Sequence, residues 1–140
     1  MAERNFYKAS ILFLRKYYMS VLMTGLILYL SFAPPSNFDQ FKEISFFEGF
    51  DKLVHFVLYF SLAAVLMFES GVFKENRLNC LLVPGLLYPV VLGGLVELCQ
   101  KYFFAPRSAE FFDWFFDISG VVTVWLIFIV YRKIKSACAK

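Results

Sequence analysis

The residues able to do chemistry in this chain gather around one stretch, residues 97–120, which reads ELCQKYFFAPRSAEFFDWFFDISG. It sets Glu97, Gln100, Arg107, Ser108, Glu110, Asp113 and Asp117 between two strongly apolar segments. Ionisable side chains at or near membrane depth are costly and usually face a bundle interior or a wet cavity. A second group, Asp51, Lys52, His55 and Tyr59, opens another apolar segment upstream. The guanidinium of Arg107 has the fork that grips a carboxylate or a phosphate in two places, and Asp113 could orient it by a charge-assisted pair. Glu97, where its segment leaves the apolar run, is the candidate general base. His55, the single histidine, could carry a proton step beside Asp51 or Glu97. Asp51, Lys52, Gln100, Ser108, Tyr59 and Asp117 complete the candidate ligand-binding set. Crowded carboxylates at low dielectric resist full ionisation, so this end of the molecule suits a polar or anionic headgroup. The competing reading is a mutually paired set that only holds helices in register.

Other chemistries find little support. No metal and no cofactor are expected, because paired His or Cys at zinc spacing are missing. There is no Gly-rich phosphate loop and no H-E-x-x-H. Ser108 lacks the G-x-S-x-G setting of a hydrolase nucleophile. The charge pattern carries no basic stripe for nucleic acid.

The elements that must position these residues are membrane helices. The chain has 140 residues, 60% of them hydrophobic and 18% charged, against about 45–50% and 25% in soluble domains. Four apolar spans are expected, at about 17–33, 53–68, 78–98 and 114–130, giving an all-α, four-helix transmembrane bundle in one domain over residues 1–140. Several fall slightly short of the roughly 20 residues that cross a bilayer. The first follows Arg4, Lys8, Arg15 and Lys16 and ends at Pro34-Pro35. That layout resembles a signal peptide, but Pro34 opposes cleavage and favours a retained helix. Residues 34–50 read as a loop with a short interfacial helix through FKEISFF or as a solvated connector. Pro84 and Pro89 should kink the third span, and Gly93-Gly94 should let another helix come close. Arg132, Lys133 and Lys135 should stop the fourth.

Helical spacing sorts the polar residues into stripes. Asp51, His55 and Tyr59 form one, Asp113, Asp117 and Gly120 another, and Gly93, Gly94, Glu97 and Gln100 a third. All three lie at one end of their spans. Lysine and arginine bias assigns the sides. Arg4, Lys8, Arg15, Lys16, Lys74, Arg77, Arg132, Lys133, Lys135 and Lys140 fall on one side, against Lys42, Lys52, Lys101 and Arg107 on the other. Both termini are therefore expected in the cytoplasm, with the polar end facing outward. Cys80 and Cys138 would then stay reduced and Cys99 would stand alone, so no internal disulfide is expected. Cys99 reads as a packing residue before a nucleophile.

The order of these motifs resembles a family. D-K-x-x-H-F-x-x-Y opens the second span (Asp51, Lys52, His55, Phe56, Tyr59), and E-x-x-Q closes the third (Glu97, Gln100). Arg107-Ser108, Asp113 and Gly120 follow. The pattern is similar to that of the VanZ-like family of small bacterial membrane proteins, over about half of the chain. Two positions depart from it: Pro106 stands where that family often has glycine, and Asp117 where it often has asparagine. The resemblance implies a multi-pass protein of the bacterial cytoplasmic membrane, linked to teicoplanin-type glycopeptide resistance. The partners expected are the lipid bilayer and a lipid-linked cell-wall precursor or lipid headgroup. A non-catalytic accessory protein is the rival reading. A transporter subunit is disfavoured, because the opposite halves of the spans look purely apolar.

Overall fold

A computed structural model describes residues 2–33, 49–71, 82–103 and 111–138. These are helical: α1 (Ala2–Lys16), α2 (Tyr18–Phe32), α3 (Phe50–Ser70), a π-helical turn (Leu82–Leu87), α4 (Tyr88–Phe103) and α5 (Phe111–Cys138). The interfacial helix expected near FKEISFF, and Cys80, Arg107 and Ser108, lie outside the described residues.

The α3 and α5 helices are long and apolar enough to cross a membrane. A third span exists if α1 and α2, bent by 78° on either side of Tyr17, count as one. The α4 helix has 16 residues, a rise of about 24 Å, which is less than the roughly 30 Å of hydrocarbon. The sequence windows 53–68 and 114–130 fall inside α3 and α5, while 17–33 and 78–98 correspond to α2 and to the π turn with α4. The basic residues after 130 end the apolar run but not the helix. Arg132, Lys133 and Lys135 ride on its last turns, since both residue types are good helix formers and suit the negative end of the helix dipole.

The core is one stripe along α3 against one stripe along α5. Tyr59, Leu62, Ala63, Leu66 and Met67 face Val121, Val124, Trp125 and Phe128, with Ile27 of α2 closing the cluster. These recur at helical i, i+3, i+4 spacing. The opposite faces are equally apolar: Leu53, Val57, Leu95, Leu98, Leu126 and Ile127 are exposed. Apolarity all round a helix is what a lipid environment demands.

Close approach sets the α3–α5 packing. A Cβ on Gly120 would stand 2.5 Å from the Phe56 carbonyl oxygen and 2.9 Å from the Phe60 nitrogen. Backbone meets backbone there, so glycine is required. The other contacts are polar ties suited to an apolar surround. The Glu69 carboxylate at the end of α3 accepts the backbone N–H groups of Met19 (2.9 Å) and Ser20 (3.1 Å) and the Ser20 hydroxyl. It caps the N-terminus of α2 from a neighbouring helix, where a negative charge is favoured. At the other end of α2, Gln100 Nε2 donates to the Ser31 carbonyl at 2.9 Å. Pro89 has no N–H to offer the carbonyl four residues back. That carbonyl, on Gly85, instead accepts the Trp125 indole N–H at 3.1 Å. The helix distortion expected from the prolines is thus the π turn before Tyr88, stabilised from α5.

Candidate functional site

Each polar residue reaches the site from one end of a helix, because α3 and α5 run parallel while α2 and α4 run against them. The α3 stripe carries His55 and Tyr59 toward the first turns of α5. There Asp117 lies four residues before Val121 and so continues the buried stripe upward. The apolar core therefore ends, at this level, in a layer of ionisable groups.

His55 is the centre of that layer. Its Nδ1 is 3.0 Å from Asp117 Oδ1, and its Nε2 is 4.0 Å from Asp113 Oδ2. The imidazole thus stands between two carboxylates of one helix, a turn apart. Asp117 is 1% exposed, and its Oδ2 has no hydrogen-bond partner among the described residues. That oxygen sits over Gly93 of α4, where a Cβ would come within 2.7 Å. Gly93 and Gly94 also receive the Trp114 ring, whose N–H donates to the Val90 carbonyl at 3.1 Å. The glycine pair thus does admit a neighbouring helix, and what it admits includes a buried carboxylate.

Glu97 joins from α4, buried at 7% exposure. The ligand-capable atoms of His55, Glu97 and Asp117 lie within 4.8 Å of one another. Tyr59 is 1% exposed. Its hydroxyl has no hydrogen-bond partner among the described residues and is within electrostatic reach of Asp117 and Glu97. Lys52 stands at the rim, 3.2 Å from Asp51 and 3.5 Å from Asp113. Asp51 faces outward, its side chain 58% exposed.

The structure thus brings together His55, Tyr59, Glu97, Asp113 and Asp117, with Lys52 above them. Gln100 is buried nearby, but its amide is held by Ser31. Asp51 is peripheral, and the partner of His55 is Asp117 rather than Asp51. The paired His or Cys spacing sought in the sequence cannot describe a group whose members come one each from α3, α4 and α5. The signal that could have found them is the shared level of the three stripes. Compared with protein families, with curated proteins and with solved structures, the chain matches none.

Proposed function

We propose that this chain is a VanZ-like, multi-pass protein of the bacterial cytoplasmic membrane. Both termini lie in the cytoplasm and the polar layer lies at the outer face. There it binds or modifies an envelope component, a lipid-linked precursor or a lipid headgroup, and gives protection against teicoplanin. One observation carries the reading. Asp117, His55 and Glu97 are packed together at one end of two helices apolar enough to span a bilayer. Ionisable groups at such depth are expensive and mark functional paths and sites. Glu97 serves as general base and His55 passes the proton. Asp113 steers Arg107 and Lys52 toward the anionic group, Asp51 and Ser108 bind it from the rim, and Tyr59 and Gln100 back the layer from within the bundle. The motif order shared with the VanZ-like family supports the assignment.

The test is teicoplanin sensitivity in a susceptible host expressing the chain, with vancomycin as comparison. The parent should protect, while Glu97→Gln and Arg107→Lys should each abolish protection at unchanged membrane levels. The Arg107 change keeps the charge and removes the fork, so it tests geometry. If both variants protect like the parent, the layer is a packing device and the chain is an accessory protein. If the parent gives no protection, the resistance link fails.

A further inference from the structure

Of the ionisable groups outside the core, those around Glu69 are accounted for by the cap on α2. The layer around His55 is not. Its donors are one imidazole nitrogen and two carboxylates, each from a different helix. Asp117 is almost fully buried, yet its Oδ2 has no hydrogen-bond partner among the described residues. An unsatisfied buried carboxylate oxygen is costly, and a cation is one of the few ways to relieve it. Gly93 leaves the space that oxygen needs. The Tyr59 hydroxyl, one turn below His55, is a second buried polar atom with no hydrogen-bond partner among the described residues.

We propose that His55, Glu97 and Asp117 form a binding site for a divalent transition-metal ion, with zinc as the best-fitting member. An imidazole donor disfavours magnesium and calcium, which take oxygen ligands. Zinc binds nitrogen and carboxylate oxygen at about 2.0–2.2 Å, which sets tetrahedral donors roughly 3.4 Å apart. His55 Nδ1 and Asp117 Oδ1 already stand 3.0 Å apart, so a small separation of the two seats an ion that Asp117 holds through both carboxylate oxygens, and this gives Oδ2 the partner it lacks among the described residues. Three protein ligands leave one position open, the arrangement of reactive rather than purely structural zinc. With Nδ1 on the metal, Nε2 is directed at Asp113, 4.0 Å away. A carboxylate there is the usual partner that fixes the ring of a metal-bound histidine. Asp113 is thus a positioning residue. This site is an alternative use of His55 and Glu97 to the proton transfer above, since metal-bound donors cannot also take up a proton, and metal content is the readout that separates the two.

The experiment uses the full chain in detergent, stripped with EDTA, exchanged into metal-free buffer and titrated with zinc chloride. The expected result is one zinc per chain by elemental analysis. X-ray absorption should show a first shell of nitrogen and oxygen with histidine scattering beyond it. His55→Ala and Asp117→Asn should lose the bound zinc. Asp113→Asn should weaken binding by about tenfold or more. Glu69→Ala, which disturbs the α2 cap but not the layer, should retain it, so lost zinc and lost stability are separable. Asp117→Asn is isosteric, and its helicity and gel-filtration profile should match the parent. The proposal is overturned if the parent binds no zinc above a buffer blank. It is equally overturned if His55→Ala and Asp117→Asn keep the metal, or if sulfur appears in the first shell and moves the site to a cysteine.

Discussion

Replacing Gly120 by alanine tests the packing on which the polar layer rests. The added Cβ would stand 2.5 Å from the Phe56 oxygen and 2.9 Å from the Phe60 nitrogen. Carbon–oxygen contacts between helices normally begin at about 3.3 Å, so α3 and α5 must separate by roughly 0.8 Å there. Neither atom can swing aside, since both belong to helix backbone. Overpacking of this kind costs about 1–3 kcal/mol. Alanine also gains about 1 kcal/mol of helix propensity over glycine, which partly masks that cost. Gly25 supplies the correction, because nothing lies within 4 Å of a Cβ built there. Gly25→Ala should therefore show the propensity gain alone. The difference between the two variants isolates the clash, at about 1–3 kcal/mol. The assay is thermal unfolding of the detergent-solubilised chain, with parent and both variants side by side. Gly120→Ala should melt below the parent or near it, and clearly below Gly25→Ala. The effect should extend to the site, since Phe56 adjoins His55 and Gly120 lies three residues from Asp117. Equal or higher stability of Gly120→Ala relative to Gly25→Ala would refute the backbone contact and the α3–α5 alignment built on it.

Two further outcomes follow from other contacts. Trp125→Phe keeps most of the ring but removes the N–H that serves the Gly85 carbonyl, a group Pro89 cannot satisfy. It should cost about 1–3 kcal/mol, measured by the same unfolding assay, and Trp114→Phe, which removes an N–H donated to the part-buried Val90 carbonyl, offers a comparison within α5. For topology, reporter fusions at Asn37 and at Ala105 should both report the outer side, and a cytoplasmic signal at Ala105 would place the polar layer on the wrong face for the proposed substrate.

Much of the local order was legible in the residues alone. Apolar composition and helical spacing are local properties, so the helical class, the positions of α3 and α5, and the stripes through His55, Glu97 and Asp117 follow from them. So does the gathering of polar residues at one end, because each stripe ends where its apolar run ends. Glycine and proline also announced themselves, the one as a point of close approach and the other as a break. What the sequence could not supply is anything that depends on how far one helix is rotated or shifted against another. The i, i+4 rule puts Asp51 and His55 on one face. Only the packed bundle shows that Asp51 projects outward while His55 turns in toward Asp117. Asp117 looked like a departure from a family pattern, and packing makes it the most deeply buried carboxylate of the layer. Glu69 gave no sign in its own helix of capping another, because a cap supplied across helices has no sequence spacing. The cluster of His55, Glu97 and Asp117 is hidden for the same reason: its members come from three helices and are neighbours only after α3, α4 and α5 are brought to the same level by Gly93 and Gly120.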